Sequence, residues 1–245
     1  MILDIDIGNS RIKWRLADNG KSVAVGSQAT SLVAAGEPLE LPEGTVIDEV
    51  HAASVADRAV IASVQLQLAK RFSVALKMAE VTPSAGCVTC GYEDPQTLGV
   101  DRWLAVVAAY QKFREALLVV DAGSAITMDL LAPQGEHLGG YIIPGLRLMR
   151  DALWRDTSDV KVAGGDWRDL QLPGKDSQQA VNRGCLLAAV AAVETLASQY
   201  PVRIVVTGGD AQPLIEALSL QVTHCPDLVL DGLSVSDITF VNWNT

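Results

Sequence analysis

Apolar and polar residues alternate from the first positions of the chain. Leu3, Ile5 and Ile7 fall on one face and Asp4 and Asp6 on the other; after a glycine-bearing turn, Ile12, Trp14 and Leu16 alternate with Lys13 and Arg15. A period of two on both sides of a turn predicts a β-hairpin. Residues 28–50 are broken by Pro38, Pro42 and Gly44 and close on a strand predicted at 45–50. A helix is predicted over 57–72 and a strand over 74–81. A loop rich in Gly, Pro and Cys (82–98) then leads into a helix over 100–113, where Trp103, Leu104, Val106, Val107 and Tyr110 mark a largely buried element.

The second half repeats this grammar. Residues 117–121 form a near-continuous apolar strand, 125–131 its hairpin partner, and 138–143 a third strand that stops at Pro144-Gly145. A helix follows over 146–154, then a polar stretch to about residue 175. Residues 178–200 carry the longest apolar helical pattern, with Leu186, Leu187, Val190, Val193 and Leu196 as core positions. A strand at 203–206, a turn at 207–210, a helix at 213–218 and a strand at 220–222 complete the pattern. The expectation is an α/β protein of two similar domains, residues 1–115 and 116–245.

With 245 residues, 49% hydrophobic and 20% charged, the chain can bury a substantial core. Its formal net charge of −10, without a Lys/Arg run, argues against nucleic-acid binding, so an anionic substrate must be held by local donors. No basic leader and no 18-residue uncharged apolar segment is apparent; a cytoplasmic protein without membrane association is expected. Cys87 and Cys90 form a single C-x-x-C, which lacks the second half of a zinc site and reads as unpaired thiols in a loop. His51, His137 and His224 are scattered. The five tryptophans read as core or interface aromatics, and Arg147, Arg150 and Arg155 as a solvated helix face.

Two turns carry the chemistry. Asp6-Ile7-Gly8-Asn9-Ser10 and Asp121-Ala122-Gly123-Ser124 each place a carboxylate, a glycine and small polar residues at the end of an apolar strand. Such turns offer backbone N–H groups to phosphates, and a carboxylate beside a phosphate implies an intervening cation. Thr207-Gly208-Gly209-Asp210 would supply a flat glycine surface for adenosine. Gly99-Val100-Asp101-Arg102 opens a buried helix with a carboxylate able to accept a proton beside a guanidinium able to hold an anion, the pair needed to phosphorylate a hydroxyl on an acidic molecule.

These motifs, with Tyr92, Pro95 and Gly139-Gly140-Tyr141-Ile142-Ile143-Pro144-Gly145, stand in the order found in type III pantothenate kinases, and the chain resembles that family from residue 4 to residue 210. The resemblance implies two ribonuclease-H-like domains of the actin-like ATPase kind, with mixed sheets flanked by helices and the nucleotide in the interdomain cleft. It implies phosphorylation of pantothenate by Mg-ATP, with Asp101 as general base. Asp6, Ile7, Gly8, Asn9, Ser10, Arg11, Ile12 and Lys13 would form the first phosphate loop, Asp6 reaching the ATP-borne magnesium. Gly123, Ser124, Gly208 and Gly209 would also contact ATP, and Asp121 would hold potassium or ammonium.

Tyr92, Gly99, Val100, Asp101, Arg102 and Ser177 would line the pantothenate site, completed by the second subunit of a homodimer to which the helix after Pro144 contributes. Ser124 and Ser177 stand where the family usually has threonine; each keeps the hydroxyl and loses a methyl. Two other readings compete: another small-molecule kinase or phosphatase of the same superfamily, and a nucleotide-binding regulator without turnover. Asp6, Asp101 and Asp121 argue against the latter.

Overall fold

The structure, a computed structural model, describes residues 1–156, 167 and 172–243. The chain divides into two compact units, Met1–Lys112 with Leu228–Thr245, and Phe113–Asp227.

The first unit is built on a six-stranded sheet. The predicted hairpin is β1 (Ile2–Ile7) and β2 (Arg11–Asp18), antiparallel with Asp6 opposite Lys13. A third strand not foreseen in the sequence, β3 (Lys21–Ala29), extends it, and the short helix α1 (Thr30–Ala34) follows. The strand expected at 45–50 lies further on, as β4 (Glu49–Ser54), parallel to β1. Helix α2 (Arg58–Phe72) leads to β5 (Leu76–Ala79), parallel to β4. The loop beyond contains a two-residue-turn hairpin, β6 (Ser84–Ala85) and β7 (Val88–Thr89), and a 3-10 turn at Pro95–Thr97 before α3 (Val100–Phe113).

The second unit carries a five-stranded sheet. β8 (Leu117–Ala122), β9 (Ala125–Leu131) and β10 (His137–Pro144) are antiparallel, and β11 (Arg203–Thr207) and β12 (Val222–His224) run parallel to β8. Around them lie α4 (Leu146–Asp156), α5 (Ser177–Gln199) and α6 (Ala211–Ala217). The polar stretch expected after α4 lies mostly outside the described residues. Helix α5 has the length and hydropathy of a membrane-spanning helix; its apolarity has a packing cause, since Leu186, Ala189, Val190, Val193 and Leu196 enter the core shared with Val120, Met128 and Val206.

The order β3-β2-β1-β4-β5 in one sheet matches β10-β9-β8-β11-β12 in the other: an antiparallel triplet continued by two parallel strands. The duplication read from the two aspartate turns is therefore a duplication of topology, and each turn joins the first two strands of its sheet.

The expected boundary near residue 115 accounts for the first crossing only. From Leu228 the chain rejoins the first unit, where α7 (Leu228–Leu233) packs on β1 and β4, and β13 (Phe240–Asn242) pairs antiparallel with β5. Helix α7 buries Leu228, Val229, Leu230 and Leu233 there, and a buried polar cluster links it to the hairpin. Asp4, on the face of β1 opposite Leu3 and Ile5, is 1% exposed, and Arg15 of β2 donates to it (Nη2–Oδ2, 3.1 Å). Arg15 also donates to Asp231 (2.6 Å), Ser234 (3.0 Å) and the Leu230 carbonyl. Gly232 lets α7 approach α3 closely, since a Cβ there would lie 2.5 Å from the Leu104 carbonyl oxygen.

Candidate active site

In the first unit the Asp6 turn is held from behind. Thr30 Oγ1 donates to the Gly8 carbonyl (2.7 Å), Ser54 Oγ to the Ile7 carbonyl (3.1 Å), and the Thr30 amide to the Ser10 carbonyl (3.1 Å). With its carbonyls engaged by the fold, the turn is suited to offering amides to an anion. Gly8 is needed for closure: its amide donates to the Arg11 carbonyl at 3.0 Å, and a Cβ would come within 2.9 Å of that oxygen. Asn9, Ser10 and Arg11 are exposed at the tip.

The second cluster of this unit forms where α3 begins. Asp101 lies in the first turn, where a carboxylate is favoured by the helix dipole, and its Oδ1 folds back to accept from the Arg102 amide at 2.8 Å. A Cβ on Gly99 would lie 2.7 Å from that oxygen, so the glycine of the motif makes room for the carboxylate. Arg102 is 6% exposed and donates from Nη1 to the Tyr92 hydroxyl at 3.0 Å. Four of the predicted substrate residues, Tyr92, Gly99, Asp101 and Arg102, thus form one assembly. Its frame is the interior of α3, where Trp103, Leu104 and Val107 are fully buried.

Cys87 and Cys90 lie in the loop that precedes α3. Gly86 and Cys87 form the turn of the β6–β7 hairpin, both at positive φ (57° and 63°), and the Gly86 amide is held by the Asp237 carboxylate. Cys90 lies three residues on, beyond extended backbone; such a separation spans about 10 Å, too far for a disulfide. Among the described residues no disulfide joins the cysteines.

In the second unit, Asp121 ends β8, opposite Thr127 on one side and Thr207 on the other. The Gly123 amide closes the turn on the Ala125 carbonyl at 2.9 Å. Two other turns converge on it, one after β10 and one after β11. The Gly145 amide donates to the Ser124 carbonyl at 3.0 Å, with no space for a side chain: a Cβ would lie 2.2 Å from the Gly123 oxygen. Gly208 has φ +99°, and a Cβ there would meet the Ala122 oxygen at 2.3 Å and Asp121 Oδ1 at 2.5 Å. The Asp210 amide donates to the Ala122 carbonyl at 2.8 Å. The cluster sits at the carboxyl ends of adjacent parallel strands, where open α/β sheets bind ligands.

These residues fit a nucleotide. Gly209 has nothing within 4 Å of its Cβ position, so its backbone presents the open, flat surface a base or ribose requires. Oxygen donors at Asp121 and Ser124 suit a hard cation. Among the described residues no three His, Cys, Asp or Glu side chains converge, so a divalent ion would depend on phosphate oxygens for its remaining ligands. Ser177, the exposed first residue of α5 beside the N-capping Asp176, belongs to the second unit. Arg147 of α4 is exposed, as a solvated face requires, and also lies 3.4 Å from Asp210; periodicity shows where an arginine sits on a helix, not which carboxylate it meets.

The family model described as type III pantothenate kinase matches residues 2–199. The chain belongs to this family. Among curated type III pantothenate kinases, that of Chromohalobacter salexigens is 41% identical over 95% of this chain and 86% of its own length, and that of Pseudomonas paraeruginosa 38% identical over 96% and 98%. Solved structures extend the likeness of fold. A protein from Campylobacter jejuni described as a Baf family transcriptional activator aligns with TM-score 0.58, 20% identity and 94% coverage of both chains. A structure from Sinorhizobium meliloti described as a 2-dehydro-3-deoxygalactonokinase aligns with TM-score 0.54, 15% identity and coverage of 96% and 97%. At these identities the structures speak for the fold alone. Two mixed sheets flanked by helices are the architecture expected of the chain.

Proposed function

We propose that this chain is an ATP-dependent pantothenate kinase of the cytoplasm, forming 4′-phosphopantothenate in the first step of coenzyme A synthesis. The observation that carries the reading is the Asp101 carboxylate, folded over Gly99 beside a buried Arg102 that is itself fixed by Tyr92, in a chain of this family.

Arg102, Tyr92, Gly99 and Val100 hold pantothenate, with the Arg102 guanidinium on its carboxylate. Asp101 takes the proton as the substrate hydroxyl oxygen bonds to the γ-phosphorus and the bond to the bridging oxygen breaks, releasing ADP. The Asp6–Lys13 turn, with Gly123, Ser124, Gly208 and Gly209, binds Mg-ATP. Asp121 would hold a potassium or ammonium ion, which when bound would offset phosphate charge, and Asp6 would reach magnesium through the nucleotide. Positioning and charge compensation supply most of the acceleration.

The active form is a homodimer, in which Ser177 of a second copy completes the pantothenate pocket. Support comes from α4 and α5, which leave Leu148, Leu153, Trp154 and Leu187 exposed around an apolar groove lined by Met149, Val181 and Gly184.

The test is ADP release from Mg-ATP with a panel of small hydroxy acids, amides and sugars, each with and without potassium or ammonium. Release that depends on pantothenate and a monovalent cation is the expected result; equal release with other acceptors would move the assignment to another kinase of the superfamily.

A further inference from the structure

Asp210 stands at the N-cap of α6, where an aspartate ordinarily accepts from the second or third amide of its helix. Here the side chain makes no capping bond, and Oδ2 instead lies 3.4 Å from Nε of Arg147. That oxygen is enclosed and accepts no hydrogen bond of ordinary geometry, so the guanidinium is what compensates it. The Asp210 amide is tied to the Ala122 carbonyl, and Gly208, two residues earlier, packs against Asp121 Oδ1. The turn assigned above to the nucleotide is therefore tied to the end of the strand that carries Asp121, and it brings with it a second acidic residue, Asp210. The other arginines of α4 are occupied locally, Arg150 with Asp151 and Arg155 with Asp156.

We propose that Arg147 is a nucleotide-positioning residue, which neutralises Asp210 so that the Gly208–Gly209 turn can accept a polyphosphate-bearing nucleotide next to Asp121. This rests on the kinase reading above. Two uncompensated carboxylates at one phosphate site would repel the ligand, and a cation on one of them removes that repulsion. Because Arg147 is half exposed, the coupling is screened by salt.

The experiment is calorimetric titration of Mg-ADP into the wild type, Arg147→Ala, Arg147→Lys, Asp210→Asn and the double variant Arg147→Ala/Asp210→Asn, at low and high salt, with KM for pantothenate measured alongside. Arg147→Ala should weaken nucleotide binding on the order of tenfold at low salt and less at high salt. Arg147→Lys and the double variant should return to within about threefold of the wild type, and Asp210→Asn alone should bind no more weakly than the wild type. KM for pantothenate should not move. Wild-type affinity in Arg147→Ala, a double variant as weak as Arg147→Ala, or weakening by Asp210→Asn alone would overturn the proposal while leaving the kinase reading intact. Failure of the wild type to bind Mg-ADP would overturn both.

Discussion

The guanidinium of Arg102, enclosed by the start of α3, donates to the hydroxyl of Tyr92 over 3.0 Å and lies 5.7 Å from the centre of its ring. An arginine so enclosed meets a carboxylate in a low-dielectric setting, where orientation matters as much as charge. Tyr92→Phe keeps the ring and removes the acceptor. KM for pantothenate should rise about tenfold, the effect of losing a hydrogen bond of about 1.5 kcal/mol to a charged group, while Mg-ADP affinity stays unchanged. Steady-state kinetics at saturating ATP checks this.

Gly99→Ala tests the placement of the carboxylate. The added methyl would lie 2.7 Å from Asp101 Oδ1 and force it aside. A positioned general base contributes about 10²–10⁴-fold, so kcat should fall at least about tenfold with thermal stability nearly intact. An unchanged kcat would mean that the carboxylate position does not matter to the chemistry.

The neighbouring glycines of the nucleotide turn should behave differently. Gly208→Ala meets positive φ and two clashes, so it should destabilise the fold by roughly 2 kcal/mol and abolish tight nucleotide binding. Gly209→Ala meets nothing within 4 Å; its melting temperature should match the wild type while Mg-ADP affinity drops. Thermal melts and calorimetry on the pair separate the fold's need for glycine from the ligand's.

Legibility followed how local the signal was. The hairpin from Ile2 to Asp18, helix α3 and strand β9 were readable because each has a full period of apolar residues bounded by turn chemistry. Strand β3 was missed because it faces solvent with Val23 and Val25 and carries Ser22, Gly26 and Ser27; Gly26 is there because a Cβ would strike the Trp14 ring at 2.3 Å. Strand β4 was placed four residues early because Ala52 and Ala53, buried in its centre, have little strand propensity.

Helix α7 returns to the first unit with contacts across more than 200 residues, Arg15 with Asp231 and Leu230, and β13 returns by pairing with β5; neither segment carries a local mark of this. In the two aspartate turns the glycines and aspartates were legible as turn residues, because such turns demand those residue types. Arg147 was not, since its partner Asp210 comes from another strand-to-helix turn of the same sheet.

The Arg15 cluster should govern how stability varies with pH. Burial, only partly offset by Arg15, holds the Asp4 carboxyl above the ordinary aspartate range. The folded state then keeps this proton to higher pH than the unfolded chain, so the Asp4 contribution to stability is fully present below the ordinary aspartate value of 3.8 and is lost as pH rises through the folded value. Asp4→Asn should remove that slope in urea unfolding measured from acid towards neutral pH. Arg15→Ala should cost about 3 kcal/mol at neutral pH by leaving Asp4 buried without its guanidinium, with only the Ser234 hydroxyl and His51 beside it.

The most direct test of the central claim is Asp101→Asn, followed by turnover with pantothenate and by Mg-ADP titration on the same preparation. The substitution keeps the shape and an oxygen able to accept from the Arg102 amide, and removes only the proton acceptor. The account predicts kcat lower by at least about 10²-fold with nucleotide affinity within about threefold of the wild type. Turnover within a few-fold of the wild type would contradict it and remove Asp101 from the role of base.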